Sequence, residues 1–166
     1  MFKVLDTICQ PTRATKYSAM VDLYAREDVV IGAGETKIVP LGVKIDIKNL
    51  MQHFQKADER ITWYEAYLND FLKRHYLALH IRSSLAVKGL IIPNGEGVID
   101  IDYPDEIGLI VHNPIIDITF GICNGTIYTI KKGDKVAQCT LMEHKGYLMG
   151  IESDAERSGG FGSTGV

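Results

Sequence analysis

The stretch VVIGAGETKIVPLGVKIDI, residues Val29–Ile47, indicates the fold class. It is rich in β-branched residues and is interrupted at short intervals by glycine and proline, as expected for short strands joined by turns. Four similar segments follow it along the chain: GVIDID, IGLIVHN, IIDITF and TIYTI. Between the last two, Asn124-Gly125 favours a type I′ hairpin turn. Many short strands with regular turn signals predict an all-β sandwich or barrel.

One segment, ADERITWYEAYLNDFLKRHY, departs from this pattern. Six of its side chains fall on one face of a helix: Ile61, Tyr64, Leu68, Phe71, Leu72 and His75. Acidic residues lie near its start and basic residues near its end, as the helix dipole favours. The sequence therefore predicts a helix from about Ala57 to Arg74, inside an insertion at about 50–75 of a single domain that covers residues 1–166.

Composition excludes several classes of protein. A chain of 166 residues fits one domain, and its net charge of −3 argues against nucleic-acid binding. No apolar run is long enough to span a bilayer, and the start lacks the apolar stretch of a signal peptide. The three cysteines, Cys9, Cys123 and Cys139, have no C-x-x-C spacing, which suits reduced thiols. We expect a cytoplasmic protein that binds neither nucleic acid nor a membrane.

Three internal segments carry residues suited to chemistry. Arg82-Ser83-Ser84 offers forked charged donors beside two hydroxyls, which suits an anion site, with an ordinary polar turn as the alternative. Strand alternation places Asp100 and Asp102 on one face, where they could bind a metal, activate water or face solvent. Gln138 interrupts an apolar strand, so it either faces water or serves a site.

The chain closes on SGGFGSTGV, residues Ser158–Val166. Such a glycine-rich end is usually a flexible tail, but its bare backbone N–H groups also suit phosphate binding. It is not a Walker phosphate loop, because no Lys-Ser/Thr pair follows the glycines. The tail by itself leaves both interpretations open.

The order of these segments carries more information than any one of them. Along the chain they are Asp22-Leu23-Tyr24-Ala25, Arg82-Ser83-Ser84-Leu85, Asn94 to Tyr103, Gly133 to Gln138, and Arg157 to Gly165. Together they resemble the five ordered motifs of the trimeric dUTPase family, from about Ser18 to the C-terminus, and the third and fifth are the most specific.

The resemblance implies a fold, an assembly and a reaction. The family subunit is a jelly-roll-like all-β domain that forms a homotrimer, with three active sites at subunit junctions, each built from motifs of all three chains. The reaction is hydrolysis of dUTP to dUMP and pyrophosphate by attack of water on the α-phosphorus, with Mg²⁺ on the triphosphate. It keeps uracil out of DNA and supplies dUMP for dTMP synthesis.

The resemblance also assigns roles around the phosphates. Asp100 matches the residue that orients and deprotonates the attacking water, and Asp22 the one that contacts Mg²⁺ through water. Positions matching the phosphate site are Arg82, Ser83, Ser84 and Gln138. Arg82 and Asp134 resemble a charged pair that supports this site.

The segment Asn94–Tyr103 resembles the β-hairpin pocket for the nucleoside. Its matching positions are Asn94, Gly97, Val98, Ile99 and Tyr103. Backbone groups and the Asn94 side chain would read the edge of uracil, and a tight hairpin would exclude the methyl group of thymine. Tyr103 would pack under the deoxyribose, leaving no space for the 2′-hydroxyl of UTP.

The tail resembles the fifth motif, part of an arm at about 154–166 that is mobile when the site is empty and closes over bound nucleotide. Phe161 would stack on uracil, and Gly162 would let the backbone come close. Arg157, Ser163 and Thr164 would hold the β- and γ-phosphates.

Several positions depart from the family pattern. Met20 and Val21 stand where a glycine and an aromatic residue usually precede Asp22, and Pro104-Asp105 replaces the usual Arg-Gly. The fifth motif is one residue shorter between Arg157 and Phe161. The helical insertion replaces a short turn, and we expect it to pack as an accessory element, with a trimer contact or a protein partner as alternatives. Trp63 lies off its apolar stripe, which keeps the interaction role open.

Two other functions are compatible with parts of this pattern. The dCTP deaminases share the fold and the Arg-Ser-Ser turn, but Ile110 occupies the position of their catalytic glutamate, three residues before Asn113, and they lack the Gly-Phe-Gly tail. A regulatory protein that binds a partner through the insertion is the second alternative.

Overall fold

The computed structural model describes residues 1–50, 52, 64–114, 117–119, 122–151, 153 and 160. In these ranges the chain forms twelve strands: β1 (Phe2–Val4), β2 (Val21–Tyr24), β3 (Val29–Ile31), β4 (Thr36–Pro40), β5 (Val43–Ile45), β6 (His75–Ile81), β7 (Gly97–Asp100), β8 (Gly108–His112), β9 (Asp117–Thr119), β10 (Ile122–Asn124), β11 (Tyr128–Ile130) and β12 (Lys135–Glu143). The helices are α1 (Tyr64–Arg74), α2 (Ser83–Ala86) and two 3₁₀ turns, Thr7–Cys9 and Gly146–Met149, and residues 47–50 are also helical. The predicted all-β class is confirmed.

The largest sheet has four strands in the order β2-β12-β6-β7, all antiparallel to their neighbours. The other strands form two-stranded pairs, β1–β5, β3–β11, β4–β8 and β9–β10. Because β12 comes last in the chain but lies between β2 and β6, the large sheet joins three motif segments that are far apart in sequence.

Alternation along the large sheet separates a core face from an outer face. On β6 and β12, Leu77, Leu79 and Cys139 are buried in the hydrophobic core. On the other face, His80 of β6 lies directly opposite Gln138 of β12, and Gln138 lies directly opposite Asp22 of β2. The outer face therefore carries the polar residues that sequence analysis singled out.

A β-bulge in β12 changes which residues reach that outer face. The register shifts between Lys135 and Ala137, so Lys135 lies opposite Tyr24 while Gln138 lies opposite Asp22. Tyr24 and Asp22 are two residues apart and share a face. The extra residue in the bulge thus brings Lys135 to the same face as Gln138.

Helix α1 is the inserted helix, and it ends at Arg74 as predicted, whereas the predicted positions 57–63 lie outside the described residues. Phe71 is 4% exposed and joins the core. His75, on the apolar face of the pattern but beyond the predicted end of the helix, pairs with Glu143 and is the first residue of β6. Its ring still stacks on Phe71, with centroids 4.2 Å apart.

Within the described ranges, every helix is too short or too polar to cross a membrane. Two of the three cysteines, Cys9 and Cys139, are free and buried. Burial raises the pKa of the Cys139 thiol to about 12, so this thiol stays protonated and unreactive at neutral pH.

Candidate functional site

A cavity of about 200 Å³ lies between β6, β7 and β8. All five residues predicted to bind the nucleoside line it: Asn94, Gly97, Val98, Ile99 and Tyr103. Sequence analysis missed six further lining residues: Leu79, Ile92, Gly108, Leu109, Ile110 and Gly160. Three of these, Leu79, Leu109 and Ile110, are strand side chains, whose contribution depends on which strands become neighbours.

The turn that leads into β7 is shaped by two glycines. Gly95 has a φ of 78°, a left-handed conformation that favours glycine, and its N–H donates to the Ile92 carbonyl at 3.0 Å. At Gly97, a Cβ would stand 3.0 Å from the Cβ of Leu79, so glycine allows β7 to approach β6 closely. The result is a narrow turn that presents backbone groups to the cavity.

Asp100 ends β7 directly after the cavity-lining Ile99, but Asp100 itself is not among the described lining residues. It is exposed, as are Val98 and Asp102, while Ile101 is buried, so the predicted alternation of these residues is confirmed. The Tyr103 N–H donates to the Asp100 carbonyl at 3.1 Å, which closes the turn after β7. Tyr103 itself is only 6% exposed and forms a wall of the cavity.

A second polar cluster lies on the outer face around Asp22, whose side chain is buried. One carboxylate oxygen of Asp22 lies 3.2 Å from Nε of Arg82, and the other lies 3.1 Å from Nζ of Lys135. The hydrogen bond to Asp22 raises the pKa of Lys135, which therefore stays charged at neutral pH. Two cations around one carboxylate leave a positive charge that suits an anion.

Other predicted phosphate residues gather beside this cluster. The Arg82 N–H donates to the Val136 carbonyl at 3.0 Å, which fixes the end of β6 against β12. Ser83 and Ser84 follow in α2 and are exposed, and Gln138 lies directly across from Asp22. The strand order thus brings residues from three sequence motifs to one place.

The predicted ion pair between Arg82 and Asp134 is wrong, since the structure pairs Arg82 with Asp22. Asp134 belongs to a tight turn in which Gly133 has a φ of 86°. Its carboxylate accepts the N–H of Lys131 at 2.8 Å and so stabilises the turn that precedes β12. Asp22 is the partner of Arg82 because only β12 separates β2 from β6, and Arg82 directly follows β6.

Asp100 and Gln138 lie on the same sheet face but far apart. Asp100 is opposite Tyr76, which is opposite Met142, four residues along β12 from Gln138. With a rise of about 3.4 Å per residue and strands about 4.8 Å apart, their backbones are about 17 Å from each other. Within one chain, Asp100 and the Asp22 cluster therefore do not meet at one phosphorus atom.

Most of the predicted closing arm lies outside the described residues, including Arg157, Phe161, Gly162, Ser163 and Thr164. Gly160 is described, and it lines the cavity against Tyr103 of its own chain. The roles of the five arm residues outside the described ranges, and the sharing of the arm between chains, stay predictions.

The residues present do not fit a metal ion held by the protein itself. Among the described residues, no three His, Cys, Asp or Glu side chains are grouped so as to hold one. Both carboxylate oxygens of Asp22 are already engaged by cations. The water-mediated contact of Asp22 with Mg²⁺ stays a prediction.

The chain is similar to known proteins of one family. The sequence model of the dUTPase family matches residues 72–165, more than half of the chain. The chain belongs to the dUTPase family. It is 31% identical over 163 residues to the deoxyuridine 5'-triphosphate nucleotidohydrolase of Rickettsia canadensis (strain McKiel), an alignment that covers 94% of this chain and 88% of that one.

Solved structures of the family share the fold. The dUTPase of Streptococcus mutans superposes with a TM-score of 0.60 at 24% identity, covering 86% of this chain and 94% of that one. The dUTPase from phage phi11 of S. aureus superposes with a TM-score of 0.58 at 19% identity, covering 98% and 97%. The jelly-roll-like fold expected from the family resemblance is therefore confirmed.

The deaminase alternative is not favoured. Ile110, at the position where the resemblance places the catalytic glutamate of dCTP deaminases, lines the cavity with an apolar side chain. Such a side chain neither accepts nor donates a proton, so the chemistry of deamination has no acid or base at this place.

Proposed function

We propose that the chain hydrolyses dUTP to dUMP and pyrophosphate, with the nucleoside in the cavity beside β7. The observation that carries this proposal is the cavity itself, which is lined by all five predicted nucleoside residues in a member of the dUTPase family. The relative from Rickettsia canadensis bears the name of the same activity. Removal of dUTP keeps uracil out of DNA and supplies dUMP for dTMP synthesis.

Selection of the nucleoside rests on shape and on backbone groups. The turn at Gly95 and Gly97 is narrow, so its backbone and the Asn94 side chain read the edge of uracil and exclude the thymine methyl group. Tyr103 is buried beneath the sugar position and leaves no space for a 2′-hydroxyl.

Asp100 serves as the general base. Its carboxylate takes a proton from water, the water oxygen bonds to the α-phosphorus, and the bond to the bridging oxygen breaks to release pyrophosphate. Its exposed position at the end of β7, one residue after the cavity-lining Ile99, supports this assignment.

The Asp22 cluster binds the phosphates. Arg82 and Lys135 supply charge, and Asp22 holds both in place. The neutral donors of this site are Ser83, Ser84 and Gln138. Mg²⁺ arrives with the triphosphate as part of the substrate and lowers its negative charge. A variant of the phage phi11 dUTPase coordinates a structural Mg(II) ion, which is consistent with use of this metal in the family.

The active unit is a homotrimer in which neighbouring chains complete each site. The separation of about 17 Å between Asp100 and Gln138 supports this, because one chain alone cannot place the base and the phosphate cluster on one nucleotide. Exposed apolar side chains on the outer sheet face, Val98 at 59% and Met142 at 42%, offer surface that assembly would bury.

The C-terminal arm closes the site after dUTP binds. Phe161 stacks on uracil, while Arg157, Ser163 and Thr164 contact the β- and γ-phosphates and Gly162 allows close approach. The position of Gly160 at the cavity supports an arm that reaches the nucleoside.

The inserted helix α1 packs as an accessory element. Phe71 enters the core, and Arg74 lies over the ring of Tyr147 at 4.9 Å, which joins the helix to the segment after β12. A protein partner at this helix is the second candidate role, and Tyr67, which is 38% exposed, would contribute to such a surface. The proposed location is the cytoplasm, in agreement with the buried free thiols.

A nucleotide panel tests the proposed activity. Purified protein is incubated with Mg²⁺ and dUTP, UTP, dTTP or dCTP, and pyrophosphate and ammonia are measured. We expect pyrophosphate from dUTP alone. Ammonia from dCTP would identify a deaminase, and no product from any nucleotide would favour the regulatory alternative.

A further inference from the structure

The turn between Asn94 and Gly97 has one side chain that reaches back to β6. Oε2 of Glu96 lies 3.4 Å from Nε2 of His80, and both side chains are about one-third exposed, at 37% and 34%. The hydroxyl of Tyr76 also hydrogen-bonds to the Glu96 carboxylate, which raises the pKa of Tyr76. Glu96 thus has two partners on one face of a single neighbouring strand.

The position of this turn matters for the cavity. Asn94 and Gly97, on either side of Gly95 and Glu96, line the cavity, whereas Glu96 is not among the described lining residues. Two of the four turn residues are glycines, which restrict the backbone least. Backbone hydrogen bonds and the pairing of Gly97 with Leu79 already restrain this turn. A side-chain anchor at Glu96 adds a further restraint on Asn94 relative to β6.

We propose that Glu96 is a positioning residue for the nucleoside pocket. By binding His80 and Tyr76 it fixes the turn, and with it the backbone groups and the Asn94 side chain that face the base. This inference rests on the proposed function, because it takes the cavity beside β7 as the nucleoside site.

The register of the sheet allows the effect on the nucleoside to be separated from the effect on the phosphates. His80 is directly opposite Gln138, which is directly opposite Asp22 of the phosphate cluster. Glu96 contacts His80 from the β7 side of β6, whereas the phosphate cluster lies on the β12 side. A change at Glu96 should therefore weaken binding of dUMP and leave binding of pyrophosphate unaltered.

The test compares Glu96→Ala with Glu96→Gln and with a matched control, Glu35→Ala. Glu35 also holds a turn, through the N–H of Gly32 at 2.8 Å and Nζ of Lys37 at 2.8 Å, but it lies outside the cavity lining. For Glu96→Ala we expect KM for dUTP and Kd for dUMP to rise about 3- to 10-fold, the effect of one hydrogen bond of ordinary strength, with kcat changed by less than about 2-fold.

Two further readouts separate positioning from a general loss of structure. Glu96→Gln keeps an acceptor for the Tyr76 hydroxyl, so it should recover part of the dUMP affinity. The preference for dUTP over dTTP should fall in Glu96→Ala, because a looser turn admits the methyl group. Glu35→Ala should leave dUMP affinity and this preference unchanged.

Asn94→Ala distinguishes failure of this inference from failure of the proposed function. If Asn94→Ala weakens dUMP binding and Glu96→Ala does not, the positioning role is wrong and the pocket assignment stands. If neither changes dUMP binding, the cavity is not the nucleoside site. Should Glu96→Ala not fold, His80→Gln and Tyr76→Phe each remove one partner, and parent-like dUMP affinity in both would overturn the proposal.

Discussion

Gly160 lies against the ring of Tyr103 at a distance that only glycine permits. A Cβ on residue 160 would stand 2.5 Å from Cε2 of Tyr103 and 3.1 Å from its Cζ. Because Tyr103 is a buried wall of the cavity, any side chain at residue 160 would displace either the ring or the arm. The glycine content of the tail therefore has a steric reason at this position.

Gly160→Val tests this contact. The added side chain should displace the arm and lower kcat/KM for dUTP about 10- to 100-fold, the effect of a misplacement of the order of 1 Å at a reacting complex. The melting temperature should be unchanged. Gly150→Asn is the control. A Cβ at residue 150 would have no atom within 4 Å, and asparagine tolerates the φ of 70° at this position. Equal activity of both variants would exclude a role for the contact.

The second prediction concerns the general base. Asp100→Asn keeps the shape of the side chain and removes the proton acceptor, so kcat should fall by about 10²- to 10⁴-fold while dUMP still binds. Asp102→Asn is the matched control, because Asp102 is also an exposed carboxylate and lies two residues further along the chain. If Asp102→Asn is the inactive variant and Asp100→Asn is not, the base has been assigned to the wrong carboxylate.

The sequence predicted the residues of the cavity beside β7 better than those of the Asp22 cluster, and the difference has a physical reason. Asn94 to Tyr103 are one continuous segment around β7, so alternation along a short stretch places its side chains. The Asp22 cluster depends on pairing between β2, β6 and β12, which no local pattern specifies. Lys135 was missed as a partner of Asp22 because the bulge in β12 moves it to the outer face. The pairing of Arg82 with Asp134 was taken from the family resemblance, and the strand order gives Arg82 a different carboxylate.

The third prediction tests Lys135 as a phosphate contact. Lys135→Met keeps an alkyl chain beside Tyr24 and removes the charge that lies 5.7 Å from that ring. Pyrophosphate affinity should fall about 10-fold, as expected for loss of a charged hydrogen bond, and dUMP affinity should change much less. Lys131→Met is the control, since Lys131 pairs with the exposed Asp28 instead. Equal losses in both variants would mean a general charge effect.

The fourth prediction concerns stability at high pH. The pKa values of Tyr76 and Lys135 are raised in the folded protein, by the hydrogen bonds to Glu96 and Asp22 respectively. A group whose pKa is raised by folding stabilises the fold fully below its unfolded pKa and loses that effect as the pH rises through its folded pKa. The free energy of unfolding should therefore decline above about pH 10.

Urea denaturation at pH 8 and at higher pH measures this decline. Tyr76→Phe should be less stable than the parent at pH 8 and should lose less stability on going above about pH 10, because it lacks the tyrosine contribution. A decline in Tyr76→Phe as steep as in the parent would show that Tyr76 contributes nothing to it.

The last prediction tests how chains share a site. Asp100 is about 17 Å from Gln138 on the same sheet face, so the proposed trimer would complete each site with the base of one chain and the phosphate cluster of another. Asp100→Asn and Arg82→Ala are each expected to be nearly inactive alone, and light scattering should show trimers. After the two are unfolded, mixed and refolded together, some sites combine an intact Asp100 with an intact Arg82, because each comes from a different chain. Activity should then exceed the sum of the two parents. If base and cluster served the same site from one chain, every site would carry one defect, and refolding the mixture would restore nothing.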